Sequence, residues 1–316
     1  MLLLAFVAFV VLQIVCFPLL IVGILLVTYK QMVVSKRLGV SGTAIEVING
    51  RWTMHIFGMR PDSAAARLAG VLPNTSLLGL WLVLFPLWVK YKLSGTLFLY
   101  PRVPKEGSET LTDFVIARTH YFDRIIERVT ADVDQFVVLG AGYDTRCYSE
   151  LMRNGIRCFE VDQAVTQQLK TASLERAGVG AAHVTFVEVD FNRDDLFEKL
   201  QARGYDTTKR TLFLWEGVTL YLSEETVRKT LRDVRACAST GSVVLADIYA
   251  DRMINSMKAA AKYIGEPMDF SLPFATDCDG DLSSFLGSEG LAIGETYFLG
   301  KTHDKGPYGV VVEMRT

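Results

Sequence analysis

The chain has 316 residues, half of them hydrophobic, with 33 basic and 35 acidic side chains and a formal charge of −2. That length holds one large domain or two small ones, the apolar fraction excludes wholesale disorder, and the balanced charge excludes a general nucleic-acid binder, which needs a basic surplus. Mean hydropathy is +0.25, high for a chain with 22% charged residues, and the excess lies at the N-terminus.

Residues 2–28 carry no charge, and Gln13 and Thr28 are their only clearly polar side chains. The run exceeds the roughly 20 residues needed to cross a bilayer. A cleaved signal peptide needs a basic start, a shorter apolar stretch and a small-residue cleavage site, and the run has none of these. Residues 1–29 are therefore expected to form a transmembrane helix that stays on the protein as an anchor, kinked at Pro18. Lys30, Lys36 and Arg37 follow, and the positive-inside tendency puts them, and the rest of the chain, on the cytoplasmic side.

A second apolar stretch, 77–89, has basic residues on both flanks: Arg51, Arg60 and Arg67 before it, Lys90, Lys92, Arg102 and Lys105 after. Crossing would put one basic flank outside. The stretch is expected to be interfacial or re-entrant, with Trp81 and Trp88 near the headgroups; a buried core helix is the alternative. Residues 30–109 then read as a basic linker, this apolar segment and a pocket cover. Residues 50–60 are a candidate for part of the cover, with Trp52 or His55 near the site.

The five cysteines (Cys16, Cys147, Cys158, Cys237, Cys278) form no C-x-x-C pair, and the four histidines (His55, His120, His183, His303) have no ligand spacing with them. That pattern fits reduced thiols and gives no metal site.

From residue 110 the chain reads as an α/β domain. Strands are expected at 135–140, 156–162, 183–190, 211–217 and 242–249, with helices at 145–154, 163–177, 194–203 and 223–237. Ser223 suits an N-cap and is followed by acids suited to a first turn. This alternation predicts a doubly wound, mostly parallel sheet. Strands at 291–300 and 308–315 leave no room for a helix between them and predict a C-terminal antiparallel hairpin at the sheet edge. Residues 264–290 form an excursion before it.

The first strand ends in LGAGYDTR (139–146). Gly140 and Gly142 permit a tight turn and close approach of a ligand. About twenty residues later the second strand ends at Asp162, placed to accept hydrogen bonds from ribose hydroxyls. A dinucleotide fingerprint needs a third glycine where Thr145 stands, and Asp144 would repel a pyrophosphate. A pocket edged by Asp144, Asp162, Asp190 and Glu216 suits a cationic nucleoside cofactor, S-adenosyl-L-methionine, with its sulfonium.

VVLGAGYDTR, FEVD, VDF (189–191) and LWEGVTLYLSEE (214–225), in this order and spacing, resemble the leucine carboxyl methyltransferase family, in particular its bacterial branch of S-adenosylmethionine-dependent O-methyltransferases. VIARTHYFD (115–123) is similar to that branch's Arg-Thr-x-x-x-Asp segment. The resemblance covers roughly 110–316 and implies a class I methyltransferase-like, seven-stranded domain there. It implies Arg118 on the methionine carboxylate, Gly140 beside the methionine portion with Gly142 in the same cofactor-binding turn, Asp162 on the ribose, Asp190 and Phe191 at the adenine, and Glu216 near the reacting centre. Tyr221, His120 and Arg146 are the candidates facing the acceptor, and Tyr143 lies near the same motif. The first ~110 residues depart from the family, which leaves the acceptor pocket to a cover of this chain's own.

Methyl transfer is an in-line displacement, so the protein aligns donor and acceptor and excludes water. A carboxylate acceptor needs no general base, whereas a phenol or alcohol does. No base motif stands out, which favours a carboxylate. The anchor points to a lipophilic small molecule or lipid as acceptor. The rival readings are a hydroxyl O-methyltransferase on a quinone- or polyketide-like acceptor, an NAD(P)-dependent membrane oxidoreductase, and a silent scaffold.

Overall fold

The computed structural model describes residues 2–149, 152, 155–264, 266–274 and 277–316. The apolar N-terminus is helical but not one rod. α1 (Leu2–Val15) and α2 (Phe17–Thr28) meet at Cys16. Pro18 stands in the first turn of α2 and has no N–H to return to the preceding turn, so the break falls just before it. A π-helical turn (Tyr29–Val34) leads into α3 (Ser35–Leu38), which stops at Gly39 in the left-handed region.

The stretch expected as a linker is largely helical. α4 (Gly42–Ile56), α5 (Ser63–Val71) and α6 (Leu77–Ser94) are each capped by a side chain, Ser41, Asp62 and Ser76, that accepts a backbone N–H of the first turn. Ile45, Ile48 and Trp52 of α4, Leu68 of α5 and Leu80 and Leu84 of α6 share one buried cluster with Tyr143 of the α/β domain. Phe17–Leu38 and Leu77–Ser94 are long and apolar enough to cross a membrane by length and composition alone.

α7 (Phe114–Val129) precedes the sheet. Its seven strands are β1 (Gln135–Leu139), β2 (Arg157–Asp162), β3 (Val184–Glu188), β4 (Thr211–Trp215), β5 (Val243–Tyr249), β6 (Ala292–Leu299) and β7 (Gly309–Arg315), in the order β3-β2-β1-β4-β5-β7-β6. β1 to β5 are parallel, and β7 pairs antiparallel with both β5 and β6. The doubly wound, mostly parallel sheet with a terminal antiparallel hairpin is therefore present, and each predicted strand falls within a residue or two of its place.

The connecting helices are α8 (Ala164–Arg176), α9 (Leu196–Ala202), α10 (Glu224–Cys237), α11 (Asp251–Ile264) and α12 (Cys278–Ser288). Ser223 caps α10 as expected, accepting from the Thr226 N–H at 3.1 Å. The helix expected over 145–154 is a single 3-10 turn, Arg146–Tyr148, in its described part; residues 150, 151, 153 and 154 lie outside the described residues. Two apolar clusters fill the two faces of the sheet. The C-terminal ends of β1, β2 and β4 are left to face α4, the position where open α/β sheets bind ligands.

Candidate active site

A cavity of about 940 Å³ lies between those strand ends and α4, at the upper end of the about 300–1,000 Å³ usual for ligand sites. Gly140 (φ +67) and Gly142 (φ +43) make the turn out of β1. A Cβ at Gly140 would sit 2.4 Å from Val218 Cγ2, so both the backbone conformation and the space demand glycine. The Gly142 N–H donates to Asp162 Oδ2 at 2.6 Å and the Gln163 N–H to Asp162 Oδ1 at 2.7 Å. Each carboxylate oxygen is thereby oriented with a lone pair left over. Burial raises the Asp162 pKa against those two hydrogen bonds, which lower it.

Asp190 and Phe191 line the cavity beyond β3. Asp190 Oδ1 accepts from the Asn192 N–H at 3.0 Å, and the Phe191 ring lies 6.0 Å from that of Trp215. The glycine turn, Asp162 and this pair form a continuous wall.

The opposite wall carries a network of guanidinium and carboxylate groups, Arg51, Arg118, Asp144 and Glu216 lining the cavity. Glu216, one residue past β4, holds Arg146 at 2.5 Å and Arg51 at 3.0 Å with one oxygen, and Arg118 at 3.3 Å with the other. Asp144 holds Arg146 at 2.5 Å and Arg51 at 2.7 Å. Arg118 pairs with Asp247 at 2.9 Å and donates to the Tyr249 hydroxyl. The Gly217 N–H donates to both Asp247 oxygens.

Burial alone would raise the carboxyl pKa of Glu216, but Arg146, Arg51 and Arg118 outweigh it and hold the group below its ordinary range. Asp144 is held well below by Arg51 and Arg146 against the same penalty. Asp247, with Arg118 as its charged partner, stays raised by burial.

The structure brings Arg118, Gly140, Gly142, Asp162, Asp190, Phe191, Glu216 and Tyr221 to the cavity wall. Two predicted acceptor-facing residues are not there. His120 is exposed on α7, its ring against Tyr121; it stands two positions from Arg118, and residues two apart leave a helix on different faces. Arg146 is fully buried behind the wall, its guanidinium spanning Asp123, Asp144 and Glu216. Trp52 and His55 also face away: Trp52 packs edge-on against Trp81 at 5.4 Å, and His55 Nδ1 accepts the Asp62 N–H.

Of residues 50–60, the candidate for part of the cover, Arg51 lines the cavity; the part that sequence reasoning did not place is the first half of α4, where Thr43 and Glu46 line it. Thr43 Oγ1 and the Tyr221 hydroxyl are 2.6 Å apart, and Glu266 accepts the Gly42 N–H at 2.7 Å, clasping the helix start. Glu46 is open to the cavity; the apolar surroundings raise its pKa against the pull of Arg118. Val47, Leu111, Phe114, Val115, Met253 and Met257 give an apolar side to the same space. An arginine set among the apolar residues of 44–56, and an aspartate inside the otherwise apolar strand 243–249, were the available signals for Arg51 and Asp247.

Residues 98–235 match the family model described as leucine carboxyl methyltransferase. A Mycobacterium tuberculosis H37Rv protein named as an S-adenosyl-L-methionine-dependent methyltransferase is 36% identical over 149 residues, 46% of each chain. One of that name from Bacillus subtilis 168 is 29% identical over 193 residues, 57% of this chain and 61% of its own. A third, from Mycolicibacterium gilvum, is 32% identical over 174 residues, 54% of this chain and 56% of its own. The chain thus spans about half the length of the curated relatives it matches. Over residues 98–235 it is similar to the leucine carboxyl methyltransferase family, and the relatives it matches carry the name of S-adenosyl-L-methionine-dependent methyltransferases.

Proposed function

We propose that the chain is a membrane-held, S-adenosylmethionine-dependent O-methyltransferase that methylates a carboxylate on a lipophilic small molecule or lipid, with its α/β domain on the cytoplasmic side. One observation carries the reading. A single cavity joins the glycine turn and Asp162 to a rim formed by Lys36, Gly39 and Val40, where the apolar N-terminal run ends.

The cofactor half fits the chemistry of the group. A Cβ has no room at Gly140, and Asp162 presents oxygens that two backbone N–H groups have already oriented. Asp190 and Phe191 offer an acceptor and a ring for a base. Arg118 offers its guanidinium to a carboxylate, shared with Glu216 and Asp247. When bound, S-adenosylmethionine supplies an electrophilic methyl carbon next to a cationic sulfur. Glu216, held ionised by three arginines that offset its charge, fixes Arg118 on the cavity wall. The apolar wall from α4, α7 and α11 excludes water and accepts a hydrocarbon chain. Tyr221 and Thr43 position the start of α4 over the site.

A hydroxyl acceptor is the second reading, and Glu46 favours it: a cavity carboxyl with a raised pKa is a usable base. The test is to incubate membranes containing the chain with a methyl-labelled donor and extract the lipids. Mild base releases the label from a methyl ester and leaves it on an ether. The proposal fails if no labelled lipid appears above an Asp162→Ala control.

A further inference from the structure

We infer that α1, α2 and α6 form an in-plane raft whose outer face sinks into one leaflet of a lipid bilayer, so that the chain is held on the membrane without crossing it. The inference deepens the membrane half of the proposed function and does not use the methyl-transfer half.

α6 cannot stand clear of the body as a separate span. Its start, Leu77, lies 3.7 Å from the Cβ position of Gly70 on α5. Trp81 meets Trp52 of α4, and Tyr91 packs on Phe57 at 5.6 Å. Leu80 and Leu84 between them are buried. Contacts at Leu77, Trp81 and Tyr91 therefore tie the helix to α4 and α5 at three places along its length. Standing it across hydrocarbon would carry those helices in as well, together with exposed Arg67, and a lone charge at that depth is costly.

α2 lies antiparallel against α6. Val27 and Gly23 are both at Gly79, Gly23 also reaches Leu82 and Val83, and a Cβ at Gly23 would stand 2.7 Å from Gly79 O. Lys30 Nζ donates to Pro73 O at 2.7 Å, just before α6. Further back, Cys16 and Leu19 share a groove of about 440 Å³ with Trp81, Leu82, Phe85 and Trp88. α1 continues the line: Phe6 and Phe9 lie 5.9 and 5.7 Å from Phe98, beyond the end of α6. Two residues later Tyr100 packs into the α4–α5–α6 cluster. Both ends of the apolar run thus stay beside the body.

The outward side is apolar and has no partner among the described residues, with Leu4, Val11, Val22, Leu78 and Leu93 all more than a third exposed. Such a face exceeds what a soluble surface leaves bare. Two features choose a leaflet over a second copy of the chain. Residues 2–28 hold no charge to fix a protein register. At the edge, Lys92 Nζ lies 5.4 Å over the Trp88 ring, the aromatic–basic pairing of a headgroup boundary. The groove between α2 and α6 takes an acyl chain. The cavity rim at Lys36 and Val40 follows directly on the raft, so a lipophilic acceptor passes sideways from the leaflet.

The test attaches an environment-sensitive fluorophore to Leu4→Cys, Val11→Cys and Val22→Cys in a full-length Cys16→Ser, Cys237→Ser background, in which the remaining cysteines are buried. Each variant is placed in phosphatidylcholine–phosphatidylglycerol vesicles, and depth is read by quenching with spin-labelled lipids. The raft gives one shared depth, and external protease removes an N-terminal tag from the side on which the α/β domain is cut. A crossing helix separates positions 4 and 22 by about 27 Å, at about 1.5 Å per residue, and shields the tag. Either of those results overturns the inference. So does a chain that stays behind as a soluble oligomer when the vesicles are floated. No readout depends on turnover, so a failed methyltransferase reading would not mimic any of them.

Discussion

Arg51 Nη2 lies 3.0 Å from Glu216 Oε2, and the two residues are 165 positions apart. One comes from the helical cover and the other from the end of β4. Arg51 is 1% exposed and reaches Asp144 with the same nitrogen. The N-terminal helices are thereby fixed to the strand ends through a buried charge and form one wall of the site.

Arg51→Met should therefore destabilise the whole domain. Removing one partner of a buried ion pair costs about 3–5 kcal/mol. Arg146 stays on both carboxylates, so the loss should fall at the low end, about 3 kcal/mol. Urea unfolding of detergent-solubilised chain reads it. A loss below about 1 kcal/mol, the size of an exposed pair, would mean that α4 is only loosely docked.

Asp162→Ala should weaken S-adenosylmethionine binding. Hydrogen bonds to a charged group are worth about 1.5–3 kcal/mol, so affinity should fall at least about tenfold. The Gly142 N–H loses its acceptor as well. Titration calorimetry measures it, and wild-type affinity in the variant would remove Asp162 from the ribose. Gly140→Ala should also weaken binding, because its Cβ meets Val218 and its φ is positive. Adding Val218→Ala should recover only part of the loss, since the backbone penalty of about 1–2 kcal/mol remains.

The acid limb of stability should depend on Asp144. Its folded pKa, like that of Glu216, lies below the ordinary value because the arginines outweigh burial. A depressed acid contributes stability that is present above its unfolded pKa and lost as pH falls through the folded one. Asp162 and Asp247 are shifted the other way by burial; their contribution is present at low pH and lost as pH rises through their folded values. Wild-type stability should therefore drop below about pH 4, and Asp144→Asn should show a shallower drop. Unfolding midpoints measured from pH 7 to pH 3 give both slopes, and parallel slopes would refute the assignment.

The strands were legible because each is a short, apolar run bounded by turn residues. Gly140, Gly142 and Asp162 were legible because the strand–turn–helix context that uses them is local. His120 and Arg146 were misplaced because adjacency to a motif does not give helix phase or depth: His120 is two residues from Arg118 and on another face, and Arg146 is drawn inward by Asp123, Asp144 and Glu216. Arg51, Asp247 and Glu266 meet the site only through tertiary contacts. The uncharged run 2–28 marks an apolar surface, but the Gly23–Gly79 contact that sets its direction pairs residues 56 apart.

Tyr221 and Glu46 separate the two acceptor chemistries. Tyr221 gives or takes one hydrogen bond with Thr43, and burial raises its pKa, so it is neutral at pH 7 and serves to position α4. For a carboxylate acceptor, which is already nucleophilic, Tyr221→Phe should cost only that bond, about 1 kcal/mol. A Thr43→Val, Tyr221→Phe double variant should then cost no more than Thr43→Val alone, because that change already removes the Tyr221 bond together with the 2.8 Å bond between Thr43 Oγ1 and Ser41 Oγ. Glu46→Gln should leave kcat within about tenfold of wild type, since no proton has to leave the acceptor. For a hydroxyl acceptor the same substitution removes the base and should lower kcat by about 10²–10⁴-fold. It should also remove a rising limb from the kcat–pH profile, displaced above the usual glutamate range in the direction in which Glu46 is shifted. A large fall in kcat together with loss of that limb would replace the carboxylate by a hydroxyl and make Glu46 the base. A small fall with the profile unchanged would leave the carboxylate in place.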